Sequence, residues 1–225
     1  MERYTRNEKM LSPAENQKLR TFRVAVVGCG GLGGYIIEML ARLGIGYLTL
    51  IDGDVFEPSN LNRQLLSNPE NIGQPKAREA KQRVKEINPE ITTVAVYEFL
   101  TEVNAEEILK GHDLICDALD NIKSRRIIEK AAEKLNTPMI FGAIAGWYAQ
   151  VCTIMPGDRI LERLYPAGME KGAETHYGNP SFTPALAASI QVAEAIKVLL
   201  NKEGLLRNKV LSINLLNHEY QVIEL

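Results

Sequence analysis

The residues that could do chemistry in this chain begin with a glycine run, Gly28-Cys29-Gly30-Gly31-Leu32-Gly33. Glycines there allow a tight turn and let the backbone approach a phosphate closely. A helix starting at the same place offers that phosphate free N–H groups and a positive dipole end. Asp52 lies about 20 residues further on, the distance at which an acid takes ribose hydroxyls. A dehydrogenase would carry these same two signals. The stretch from Asp54 through Glu57, Ser59, Asn60 and Asn62 to Arg63-Gln64 separates the cases. Hydride transfer has no use for an Asn and an Arg just past the second strand, whereas a triphosphate does. Arg63 can fork onto phosphate oxygens, and Asn60 can donate or accept beside them. Lys76 stands at an expected helix start, where a lysine opposes the dipole; a cation belongs there if a phosphate is near. Asp120 follows the fourth expected strand. A carboxylate facing a triphosphate repels it unless a cation lies between, so Asp120 is the expected Mg²⁺ ligand. The simpler role for this pair is a helix N-cap, which Asn121 can fill while Asp120 holds metal.

Alternating strands and helices must position these groups. Val24–Val27 reads as a buried parallel strand. Leu32, Ile36, Leu40 and Leu43 mark a helix after the glycines, and Tyr47–Ile51 a second strand. Residues 55–75, rich in Asn, Pro and Ser, read as an ordered loop. Loops this long are usually functional or disordered. Pro75 suits the first turn of a helix over Lys76–Ile87. Strands are expected at Ile91–Tyr97 and Asp113–Asp117, and helices at Asn104–Lys110 and Ile122–Leu135. A fifth strand, Pro138–Phe141, precedes a small-residue turn at Gly142–Gly146 and a sixth, antiparallel strand at Tyr148–Met155. Residues 157–182 read as the least regular segment, with Gly, Pro, Tyr and charge intermixed. A long small-faced helix at Thr183–Asn201 leads to a strand pair, Lys209–Leu215 and Glu219–Leu225, joined by Asn217-His218. The expected fold is α/β: a Rossmann-like, doubly wound, mostly parallel sheet with antiparallel strands at the C-terminal end.

Composition bounds the function. With 225 residues, 45% of them hydrophobic, the chain can bury a full core. A formal charge of -2 argues against a nucleic-acid binder. No apolar run approaches the ~18 residues a membrane span needs, and the polar start MERYTRNEKM is no signal peptide. A cytoplasmic protein without membrane attachment is expected. Cys29, Cys116 and Cys152 form no CxxC pair, so neither disulfides nor structural zinc are expected. Cys116 and Cys152 read as core residues, and Cys29 as a backbone donor.

The string IDGDVFEPSNLNRQ after GCGGLG resembles the adenylation domain of the ThiF/MoeB/HesA family, bacterial counterparts of the ubiquitin-activating enzymes. The likeness continues in Gly73-Gln74-Pro75-Lys76, Ile87-Asn88-Pro89, Asp117-x-x-Asp120-Asn121 and Gln191-x-x-Glu194-Ala195-Ile196-Lys197. It implies one domain over 1–225, with an arm (1–20), a nucleotide half (21–140) and a carrier-facing half (141–225). It also implies ATP-dependent adenylation of the C-terminal Gly-Gly carboxylate of a ubiquitin-like sulfur-carrier protein, with Mg²⁺. Gly28, Gly30, Gly31, Gly33, Asp52, Asp54, Ser59, Asn60, Arg63, Lys76, Asp120 and Asn121 would line the nucleotide site. Arg3-Tyr4-x-Arg6-Asn7 resembles a family motif whose second arginine, here Arg6, reaches the partner subunit's nucleotide; that implies a homodimer. Zinc-binding CxxC pairs of other members are absent. So is the crossover cysteine, which puts thioester or persulfide chemistry on this chain in doubt. His176, in that stretch, is expected at the surface. Three alternatives stay open: an NAD-binding oxidoreductase, a non-catalytic binding module, and a dehydratase-like enzyme that adenylates a small-molecule or tRNA-linked carboxylate.

Overall fold

The computed structural model describes residues 2–166, 168–169, 172 and 177–225. His176 and the stretch Glu174–Thr175 beside it lie outside them. Eight strands form one sheet: β1 (Arg23–Val27), β2 (Tyr47–Ile51), β3 (Thr92–Val96), β4 (Leu114–Asp117), β5 (Met139–Ala145), β6 (Tyr148–Ile154), β7 (Lys209–Asn214) and β8 (Glu219–Glu224). Their order is β3-β2-β1-β4-β5-β6-β7-β8. The first five are parallel, and β6 to β8 run antiparallel. The strand order reverses between β1 and β4. A crevice must open there beyond their carboxyl ends, because the following chains leave towards opposite faces.

The strands alternate as their period demands. Val24 and Val26 pack into one core with α2 (Gly31–Leu43), α3 (Lys76–Ile87) and the long α7 (Phe182–Leu199). Ala25 and Val27 face the other core, under α4 (Ala105–Leu109), α5 (Ile122–Leu135) and α6 (Ile160–Leu164). By length and apolar content alone α7 could cross a membrane. Its inner side is instead spent on the sheet, with Gln191 and Glu194 among its buried residues. Glu194 accepts from Thr153 Oγ1 at 2.7 Å and from the Leu206 N–H at 2.8 Å.

Two expectations need correction. The small residues from Gly142 to Ala145 are strand, not turn: they pair with β6 as far as Ala145↔Tyr148, leaving Gly146-Trp147 as the hairpin turn, with Gly146 at φ 56°. Gly142 is small because the Gln191 side chain lies over it; a Cβ there would come within 2.3 Å of that amide. Residues 157–182 are also not wholly irregular, since they contain α6.

The N-terminal arm is anchored to its own chain. After a short 3₁₀ turn, Tyr4 is buried and its hydroxyl accepts from Asn88 Nδ2 at 2.8 Å. Asn88 is 1% exposed and also donates to the Ala41 carbonyl. Gly44, the left-handed cap of α2, leaves room for the ring, since a Cβ would sit 2.4 Å from the Tyr4 hydroxyl. Arg3 donates to the Ile87 carbonyl. A helix, α1 (Pro13–Leu19), follows behind a Ser12–Glu15 capping box.

Candidate active site

The crevice between β1 and β4 is an open cleft with about 1040 Å³ of space, solvent at its mouth included, which is the scale of small-molecule sites. Its floor is the glycine turn. Gly28 has φ 97°, and a Cβ on it would lie 2.6 Å from the Ala118 carbonyl oxygen; only glycine lets β1 and β4 deliver their loops side by side. Gly30 and Gly31 line the cleft where α2 begins, and no side chain caps that helix. The first-turn N–H groups are therefore left for an anion. Gly33 does not line the cleft. A Cβ on it would fall 1.8 Å from the Gly28 carbonyl oxygen, so its place is in packing α2 against the turn.

Asp52, at the end of β2, accepts from the Cys29 N–H at 2.7 Å and the Asp54 N–H at 2.8 Å. The donor that Cys29 offers is thus taken by Asp52. Burial pushes the Asp52 carboxyl up, against the pull of those two N–H groups and of Lys76. Two accepted bonds leave its remaining lone pairs free for hydroxyl donors. Lys76 is 8% exposed and sits 3.2 Å from Asp54 Oδ2. A lysine this buried has its ammonium held between a carboxylate and the cleft.

Arg63 lines the cleft, its guanidinium donating to the Ser59 carbonyl and to Asn62 Oδ1, both at 2.9 Å. Ser59 and Asn60 themselves are not brought to the wall. Asn60 Oδ1 accepts from the Glu57 N–H at 3.0 Å, and Ser59 Oγ faces Glu57 at 3.4 Å. These side chains close the turn that aims Arg63. The physical reason is local: Asn and Ser readily satisfy nearby backbone.

Asp120 is exposed at the cleft, beside Asn121, whose Oδ1 accepts from the Ser124 N–H at 2.8 Å. Asn121 therefore caps α5. No cluster of three or more metal-ligating side chains occurs among the described residues. Asp120 alone still fits Mg²⁺, which typically takes one or two carboxylates and completes its shell with phosphate oxygens and water. Arg6 is exposed and does not line its own chain's cleft.

Several wall residues were not singled out from the sequence. Gln64 is buried, its Oε1 without a partner, and packs beside Gly30. It followed Arg63 in the motif, and that was its only signal. Phe99, 63% exposed, covers Gly53. Asn179 reaches the cleft from the C-terminal part of the chain and receives Asn62 Nδ2 on its carbonyl. Arg125 lines the wall from α5 and is 6% exposed; the sequence carries no signal that separates it from its basic neighbours Lys123 and Arg126.

A model of the ThiF family matches residues 4–225. A sulfur carrier protein adenylyltransferase of Thermus thermophilus is 36% identical over 199 residues, 84% of this chain and 73% of its own length. A SAMP-activating enzyme E1 of Haloferax volcanii is 31% identical over 228 residues, 99% of this chain and 84% of its own. Among solved structures, E. coli MccB with ATP superposes with a TM-score of 0.85 at 23% identity, over all of this chain and 71% of that one. At that identity the likeness is one of fold.

Proposed function

The chain belongs to the ThiF family, and from that membership we propose that it adenylates the C-terminal Gly-Gly carboxylate of a ubiquitin-like sulfur-carrier protein of the thiamine or molybdopterin type. It is an adenylyltransferase. The observation that carries the reading is the convergence of four separate segments on one cleft: the Gly28–Gly31 turn, Arg63, Lys76 and Asp120.

In this mechanism a carrier carboxylate oxygen attacks the α-phosphorus of ATP, and the bond to the β-phosphate oxygen breaks to release pyrophosphate. The carboxylate is already ionised at neutral pH, so no base is required. The difficulty is an anion approaching a polyanion, and the protein answers it by alignment and neutralisation. The N–H groups of the first turn of α2 hold phosphate. Asp52 takes ribose hydroxyls. Arg63 and Lys76 screen the phosphate charge, and Arg6 of a second copy would add to them across a homodimer. Asp120 would hold Mg²⁺, which supplies further charge neutralisation when bound. Ile144 and Asn179 line the cleft from the C-terminal part of the chain, and the carrier tail would approach past them.

The test is ATP–pyrophosphate exchange with a panel of Gly-Gly carriers. Exchange should require one carrier and disappear when its last glycine is deleted. Asp120→Ala should abolish it while leaving the thermal transition in place. Carrier-independent exchange, or near-wild-type exchange by the Asp120 variant, refutes the assignment.

A further inference from the structure

Arg125 is an anomaly in its own helix. It occupies the first turns of α5, where the dipole disfavours a cation, and it is almost fully buried. All three of its nitrogens donate hydrogen bonds. Nε and Nη2 both donate to the Leu119 carbonyl, the first at 3.2 Å. Nη2 also reaches the Gly142 carbonyl at 3.1 Å, and Nη1 the Tyr165 hydroxyl at 2.9 Å. The guanidinium lies 5.1 Å from the Phe141 ring centre, and Nε is 3.6 Å from Asp117 Oδ2. On the other side of the same loop, the Leu119 N–H donates to Asp117 Oδ1 at 3.0 Å. Leu119 is therefore gripped at both of its peptide groups, and the next residue is Asp120.

We infer that Arg125 is a positioning residue that fixes the Leu119–Asp120 turn against Gly142 of β5, so that the phosphate end of the cleft and the strand leading into the carrier-facing half hold one register. The inference rests on the adenylation reading for what Asp120 does. Two carbonyls and a hydroxyl need several donors in a fixed plane, which guanidinium has and an ammonium lacks. Arg125 need touch neither substrate nor metal; it acts through where Asp120 is held. The rival explanation is that Arg125 merely neutralises the buried Asp117.

The two explanations separate in the variants Arg125→Met, Asp117→Asn and their combination. Removing Arg125 alone leaves a buried carboxylate uncompensated and lowers the thermal transition, while the double variant removes both charges. Mn²⁺ binding in the presence of ATP, read by electron paramagnetic resonance, needs no carrier. Charge neutralisation alone predicts that the double variant regains thermal stability; positioning predicts that it regains little, because the Leu119 and Gly142 carbonyls still lack their donor, and that it binds Mn²⁺ with ATP about 10-fold more weakly than Asp117→Asn. Its exchange turnover should fall about 100-fold. Recovery of stability and Mn²⁺ affinity together overturns the inference. Should the wild type support no exchange with any carrier, the adenylation reading fails, and Mn²⁺ affinity still decides for or against Arg125.

Discussion

Asp117 makes a quantitative test of the buried site wall. It closes β4, is fully buried, and has one carboxylate oxygen without a hydrogen-bond partner. Burial raises its carboxyl from the ordinary 3.8 to about 6, although Arg125 and the Leu119 N–H pull the other way. In the unfolded chain Asp117 loses its proton near pH 4, and in the folded chain near pH 6. Between those values the folded state binds more protons than the unfolded, so this group's contribution to stability is present below about pH 4 and is lost as pH rises to about 6. Two pKa units correspond to about 3 kcal/mol. Asp117→Asn keeps the shape and removes the titration. Any penalty from turning an amide towards Arg125 is independent of pH, because the guanidinium stays charged throughout. Urea unfolding of both proteins at several pH values isolates the effect. The wild type should lose about 3 kcal/mol relative to the variant between about pH 4 and pH 6, and the difference should be flat above. A difference that stays constant across the window, or that grows in the wild type's favour, refutes the claim that Asp117 sits in the fold as a costly anion.

Three further outcomes follow from the same geometry. Lys76→Ala should lower exchange turnover about 100- to 1000-fold; a loss confined to KM for ATP in steady-state kinetics would mean that Lys76 serves ground-state binding alone. Gly33→Ala should destabilise strongly in denaturant titration, because the obstacle 1.8 Å from the new Cβ is backbone and cannot rotate away; wild-type stability would show that α2 shifts freely. Gly142→Ala should cost about 1–3 kcal/mol by displacing Gln191, which bonds the Asp117 and Ile140 carbonyls at 2.8 and 3.2 Å. Adding Gln191→Ala should recover little of that cost, since both carbonyls then lose their donor.

What could be read from the residues divides by range of interaction. The strand–turn–helix at residues 24–43 was legible because its signals are local: a buried apolar run, glycines and a helical period. Asn121 as a cap was legible for the same reason. The strand at Gly142–Ala145 was not, because small residues favour turns locally while the pairing partner, β6, decides the outcome. Arg125 escaped because a basic run on a helix normally faces water; what buries it is the convergence of the nearby Leu119 with Gly142 and Tyr165, both distant in sequence. Asn60 was placed beside phosphate from its side-chain chemistry, whereas its amide closes its own turn and leaves the reach to Arg63.

The anchoring of Tyr4 bears on how quickly another surface could use this arm. Ordering a loose segment at the moment of encounter costs roughly 1–2 kcal/mol per residue and makes productive collisions rarer. Here Asn88 and the space over Gly44 hold Tyr4 in the isolated chain, so that entropic loss belongs to folding. Arg6 then projects from an anchored base two residues away, and association through it should resemble the docking of preformed bodies. Loosening the anchor with Tyr4→Ala would convert that encounter into coupled folding and binding, slowing the on-rate even where every contact at the interface is retained.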